Sequence, residues 1–231
     1  MLKPRPTPIV RRRGARGITT AEMLAGVALG MILCGSLYTF QQTQTKAFRA
    51  QSVYSESQNV TRTAIDLMTR DLRMASYDPT GPGTGGALTA SPGPSCPGVD
   101  QGIVSATPTS VRFQQDLNGD GAINAATPGE DVTYDISSGD LRRTDGASAA
   151  VALVSGLPSN GLSFTYFDGS NPPVQLVPTG TPPALTQGQR ACVSKIRMVV
   201  IANLTNPRAA RPIASTAGAE VAIRSRSLNN F

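Results

Sequence analysis

The sequence predicts an α+β fold: a long N-terminal helix followed by an antiparallel β-sheet domain. Three observations predict it. Gln41 to Ser76 holds neither Pro nor Gly, the two residues that most often interrupt a helix. Within that stretch, Val60, Ala64, Leu67, Met68, Leu72 and Ala75 recur at three- and four-residue steps, the spacing of one helical face. Beyond residue 100, short segments alternate apolar and polar side chains between Gly- and Pro-rich stretches, the pattern of half-buried strands.

The first seventeen residues carry the net charge. Lys3, Arg5, Arg11, Arg12, Arg13 and Arg16 lie there without a single acid, while the whole chain has 21 basic and 15 acidic side chains. The rest of the chain is therefore balanced. A basic flank of this kind is kept on the cytoplasmic side of a membrane and is drawn to the anionic inner leaflet. The net charge of +6 thus says nothing about a nucleic-acid face on the folded domain. Pro4, Pro6 and Pro8 oppose helix in this leader.

Met23 to Phe40 has no charged residue and spans about 27 Å as a helix, just enough for the hydrocarbon core of a bilayer. No small-x-small cleavage site follows Phe40, so the segment reads as retained. Gly26 and Gly30 form a small-x-x-x-small pair that would let helices approach closely; chance in a Gly/Ala-rich segment explains it equally well. The helix is expected to run without a break from Ile18 to Ser76, about 85–90 Å at the standard rise. Its first half faces lipid or other helices, and its second half packs on a globular domain. Arg62, Asp66, Arg70 and Arg73 lie off the apolar stripe. Asp78-Pro79 and Gly81-Pro82-Gly83 end the helix.

The boundaries read from the sequence are a leader over 1–17, a long helix over 18–76 with 23–40 transmembrane, and a β domain with long loops over 77–231. Residues 79–100 and 168–190 read as loop from their Gly and Pro content, and Asn206 to Gly218 as loop between strands. The expected strands are Ser110 to Gln114, Asp131 to Ile136, Asp140 to Arg143, Leu162 to Phe167, Val193 to Ala202 and Glu220 to Leu228. Asp131 to Ile136 and Asp140 to Arg143 would pair across Ser137-Ser138-Gly139. Arg142-Arg143 reads as a solvated strand edge, and Phe164, Tyr166 and Phe167 read as core.

Catalysis has little to stand on. His is absent, which removes the usual general base and the commonest zinc ligand. No nucleophile elbow or phosphate loop is present, so no enzyme is expected. Cys34 lies in the apolar segment. Cys96 and Cys192 would form a disulfide in an exported domain, worth about 3–4 kcal/mol in the chain-entropy picture; two separate buried thiols are the alternative.

Asp116-Leu117-Asn118-Gly119-Asp120-Gly121-Ala122-Ile123-Asn124 fits the first nine positions of a calcium-binding loop. Asp116, Asn118, Asp120 and Asn124 would offer side-chain oxygens, and Ala122 its carbonyl. The twelfth position is Thr127, and Glu130, after the Pro128-Gly129 turn, is the nearest replacement for the usual Glu. An acidic turn between strands is the competing reading.

With Gly17, Ile18 and Glu22 at this spacing before an apolar helix, the chain resembles the type IV pilin superfamily. The resemblance implies cleavage after Gly17 by a prepilin peptidase and methylation of the new N-terminus at Ile18. It also implies that Glu22 pairs with the terminal amine of a neighbouring subunit, which would set the register of assembly. A bare carboxylate in a membrane helix is costly, which favours such a partner; at the interface, an ionised Glu22 reaching water is the alternative. Asp71-Leu72-Arg73-Met74-Ala75-Ser76-Tyr77, the D-x-N-x-D-G loop and the Arg224 to Leu228 ending are similar to large minor pilins of the PilW kind. The resemblance implies a single-pass inner-membrane protein with its leader cytoplasmic and its β domain periplasmic. It further implies partners among other pilin subunits and a role at or near the tip of an extracellular pilus. A minor pseudopilin of type II secretion, in a periplasmic pseudopilus, is the alternative within the family. A membrane-anchored calcium-binding adhesin or hydrolase is the alternative outside it.

Overall fold

A computed structural model describes residues 17–79, 102–204 and 213–223 of the protein. The leader up to Arg16, the Gly/Pro-rich stretch that holds Cys96, and the Arg224 to Leu228 ending lie outside the described residues. The chain divides into two compact units, Met1–Arg49 and Ala50–Phe231.

The first unit contains the apolar start of helix α1, Thr20–Met74. α1 is long and apolar enough to cross a membrane, and none of that stretch is buried among the described residues. Leu24, Leu29, Ile32, Leu33, Leu37 and Phe40 are all at least 60% exposed.

In the second unit, α1 packs one face against the β domain. The buried residues are Ser57, Thr61, Ala64, Ile65, Met68 and Leu72, continued by Ala75. The expected stripe is therefore rotated slightly: Thr61 and Ile65 take places that spacing gave to Val60 and Leu67, and Val60 is 40% exposed. Thr61 is tolerated in this dry face because its Oγ1 donates to the Ser57 carbonyl at 2.8 Å, satisfying the hydroxyl within the helix. α1 stops two residues earlier than expected. Ser76 sits in the left-handed region at φ 66°, which a continuing helix cannot adopt.

Two antiparallel sheets follow. The first is a five-stranded meander in chain order: β1 (Ile103–Ala106), β2 (Val111–Gln114), β3 (Asp131–Ser137), β4 (Asp140–Asp145) and β5 (Val151–Ser155). The β3–β4 hairpin is the expected one. Ser138 and Gly139 both have positive φ (55° and 80°), the mirror-image turn whose twist suits a two-residue hairpin. β1 and β5 come as additions to the expected strands. The second sheet has the order β7-β6-β8-β9, with β6 Leu162–Phe167, β7 Gln175–Leu176, β8 Lys195–Leu204 and β9 Ile213–Ala222. β9 lies earlier than the expected Glu220 to Leu228. It pairs with β8 in unbroken register, so Ile213 to Gly218, expected as loop, is strand. The stretch 168–190 is not all loop either. It holds β7 and the start of helix α2, Gln187–Cys192, which Thr186 and Gln189 close with reciprocal capping bonds.

Both sheets and α1 share one core. Met68 and Leu72 of α1 join Phe113 and Tyr134 of the first sheet and Tyr166, Ile196 and Met198 of the second. Phe164 and Tyr166 are buried, as expected of core. Phe167 is half-buried, with the Arg197 guanidinium 5.2 Å from its ring centre. Backbone bonds stitch the sheets: Phe164 N donates to the Pro108 carbonyl at 2.8 Å and Leu185 N to the Ala106 carbonyl at 2.9 Å.

Because Leu72 is fully buried, Leu72→Ala should destabilise the domain by about 2–5 kcal/mol in denaturant unfolding. Val60→Ala should cost well under half as much. Equal costs would mean that the helix packs on the face its spacing suggests and not on the face described here.

Candidate functional site

The expected processing and assembly residues form a structured helix start. Gly17 and Ile18 precede the helix and are exposed. Thr19 caps it. Glu22 N donates to Thr19 Oγ1 at 3.3 Å, and Thr19 N donates back to Glu22 Oε2 at 3.0 Å. This is a reciprocal capping box, which satisfies two backbone N–H groups that a helix start otherwise leaves unpaired. Thr19 Oγ1 also donates to Oε2 at 3.1 Å. Glu22 thus has a partner inside its own chain, and its negative charge sits at the favourable end of the helix dipole. The T-x-x-E spacing of Thr19 and Glu22 carries this signal in the sequence itself.

The acidic loop joins β2 to β3. Asp116 is fully buried and accepts from Gly119 N at 2.7 Å and from Gly121 N at 3.0 Å. Gly119 and Gly121 both have positive φ, which lets the chain wrap around that carboxylate. Asn118 Oδ1 accepts from Asp120 N, Asp120 Oδ1 from Ala122 N, and Asn124 Oδ1 from Ala126 N, all at 2.8–2.9 Å. The Pro128-Gly129 turn, with Gly129 at φ 88°, returns Glu130 to the loop. Glu130 is fully buried and its Oε2 accepts from Asn124 N at 2.9 Å. Among the described residues, no group of three or more His, Cys, Asp or Glu side chains stands placed to hold a metal. Cys34 is a free, exposed thiol. Cys192 is disulfide-bonded, and Cys96, its expected partner, lies outside the described residues.

Beside this loop, a charged cluster joins α1 to the first sheet. Asp71 Oδ2 accepts from the Tyr134 hydroxyl at 2.7 Å and from Arg143 Nε at 2.9 Å. Arg143 also bonds Asp145 at 2.8 Å, and Asp145 accepts from Gly129 N at 2.7 Å. Arg143 is therefore no solvated edge. β4 lies inside its sheet, and Arg143 bridges helix and strand; Arg142 pairs with Asp135. Burial and the Asp71 charge push the Tyr134 hydroxyl well above its ordinary pKa. Burial works against the Arg143 charge, but its bonds to Asp145 and Asp71 outweigh it and raise that pKa further. Asp71 and Arg143 also line an open groove of about 550 Å³, together with Arg70, Arg73, Leu117 and Pro128.

Next to Glu130, Asp131 faces a different partner. Arg112 holds it in a two-pronged ion pair at 2.8 and 2.6 Å, and Gln114 adds a bond at 3.1 Å. No family model, no curated protein and no solved structure matches the chain.

Bonding to Arg112 lowers the Asp131 pKa below its ordinary 3.8 against the opposing effect of burial. In acid the unfolded chain takes up this proton first. The contribution of Asp131 to stability is full above pH 3.8 and drains away as pH falls through its lower folded value. Asp131→Asn should therefore lower stability at neutral pH and flatten its decline in acid, as read from denaturant midpoints at pH 2–7. An unchanged acid slope would show that this pair is not linked to folding.

Proposed function

We propose that the chain is a structural minor pilin. On this reading a prepilin peptidase cuts after Gly17, and the first half of α1 stores the subunit in the inner membrane with its β domain on the periplasmic side. The subunit then joins other pilins at or near the tip of a type IV pilus, where it primes or stabilises the filament. Its work is assembly, with no catalytic step. The observation that carries the reading is the order Gly17, Ile18, Glu22 ahead of an apolar helix that runs unbroken into a β domain. The physical form of α1 supports it. The apolar half is uncovered among the described residues, as a segment that meets lipid or other helices would be, and the leader that bears all the net positive charge is removed by one cut.

Mass spectrometry of the mature N-terminus tests this. An N-methylated Ile18 is expected; an intact Met1, or a terminus beyond Phe40, would overturn it. The capping box makes a second test sharper. Gln keeps a capping-box acceptor at the third helical position and removes the charge. If Glu22 sets register by pairing with a neighbour's amine, Glu22→Gln and Glu22→Ala should both reduce filament incorporation to a small fraction of wild type. Full incorporation of Glu22→Gln would reduce Glu22 to a helix cap.

A further inference from the structure

Glu130 brings one buried oxygen that the described residues leave unused. Its Oε2 is bonded to Asn124 N, but Oε1 is buried and has no hydrogen-bond partner among the described residues. A carboxylate oxygen withdrawn from water without a partner is strongly unfavourable. Around it the charge is one-sided. Asp116, Asp120 and Glu130 lie in a segment, 115–130, that contains no Lys or Arg. Of the nearby bases, Arg112 is engaged with Asp131 and Arg143 with Asp71 and Asp145, while Arg70 and Arg73 line the adjoining groove.

We propose that the β2–β3 loop binds a hard divalent cation of calcium size, with Glu130 as the closing ligand. The donor set would be the side chains of Asp116, Asn118, Asp120, Asn124 and Glu130 with the Ala122 carbonyl. Such a mixture of carboxylate, amide and carbonyl oxygen is calcium chemistry, whereas zinc and the later transition metals favour nitrogen and sulfur. Three of the six donors are carboxylates and three are amide or backbone oxygens; the three carboxylates are not grouped around one point among the described residues, so binding would draw them together. The oxygens already bonded to loop N–H groups keep a second lone pair.

The cation would have a mechanical consequence. Asp116 N donates to the Tyr77 carbonyl at 2.8 Å, and Ser76 N donates to the Gln114 carbonyl at 3.0 Å. The loop is therefore pinned to the residues through which α1 leaves the helix. Occupancy would stiffen that exit and the strand pair below it. This inference stands apart from the filament reading, because it needs neither processing nor assembly.

The experiment uses the full chain in detergent micelles after chelator treatment, titrated with calcium chloride by calorimetry and followed by thermal unfolding. One site is expected, with a dissociation constant of about 10⁻⁴–10⁻³ M, as for extracellular calcium modules. At about ten to a hundred times that constant, the unfolding midpoint should rise by several degrees. Glu130→Gln keeps an acceptor for Asn124 N but loses the charge, and should weaken binding at least about tenfold. Asp120→Ala, at an exposed position, should lose the calcium response while unfolding normally without calcium. No heat and no midpoint shift in the wild type would overturn the proposal. So would variants that respond as the wild type does, or an equal shift with magnesium.

Discussion

The Asp71 carboxylate is the point on which the β domain hangs. α1 presents a smooth apolar face, which gives adhesion but little positional information, since one turn of helix resembles the next. Asp71 removes that freedom. Its Oδ2 takes the Tyr134 hydroxyl of β3 and the Arg143 guanidinium of β4, so two adjacent strands are fixed to one helical position. A half-buried charge of this kind is stable only with its counter-ion in place, and loss of the Arg143 guanidinium would leave the Asp71 carboxylate with the neutral Tyr134 hydroxyl alone. Steric fit works in the same direction. A methyl group on Gly102 would overlap Ser76, so the start of β1 reaches the left-handed residue after α1 only because no side chain intervenes.

From that anchor the charge chain continues outward. Arg143 passes to Asp145, Asp145 to Gly129 N, and Gly129 immediately precedes Glu130. The acidic loop is thus the outer end of a hydrogen-bonded path that starts on α1. The same turn that brings Glu130 back to Asn124 is held by a carboxylate of β4. Loop, hairpin and helix end therefore share one set of bonds, and a change in the loop is felt where the helix meets the sheet.

The sequence made α1 legible because its period is long and its breakers are absent. It did not make the rotation of the buried face legible, since Thr61 hides its hydroxyl by bonding within the helix and so behaves as an apolar residue. β2, β3, β6 and the start of β8 show clear alternation, whereas β4 has only Leu141 as an apolar residue and is legible as the hairpin partner of β3. β9 does not: Ile213 to Ala222 is rich in Ala, and its strand character comes from pairing with β8 rather than from its own side chains. The division into two sheets is equally hidden, because it rests on which strands pair: β6 pairs with β7 and β8 and not with β5, its neighbour in the chain. In the acidic loop, the ligand-type spacing was visible, but the buried state of Glu130 depends on the fold. The partner of Arg143 is hidden for the same reason, as Asp71 lies 72 residues away in the chain.

Glu22 shows how a local role and the proposed assembled one would place different demands on one carboxylate. The capping box explains why an acid can stand at the edge of an apolar segment: Thr19 and the helix dipole stabilise it there without help from another molecule. That removes the energetic necessity of a neighbour's amine. On the filament reading the case then rests on what changes when the helix leaves the membrane interface. Water no longer solvates the carboxylate among packed helices, while a cut after Gly17 creates a positive amine four residues before it. Both bonds from Thr19 fall on Oε2, so Oε1 need not be freed from the cap to meet that amine. Cap and register contact are therefore compatible on one side chain, and the charge, which the cap does not need, is what a register contact would use.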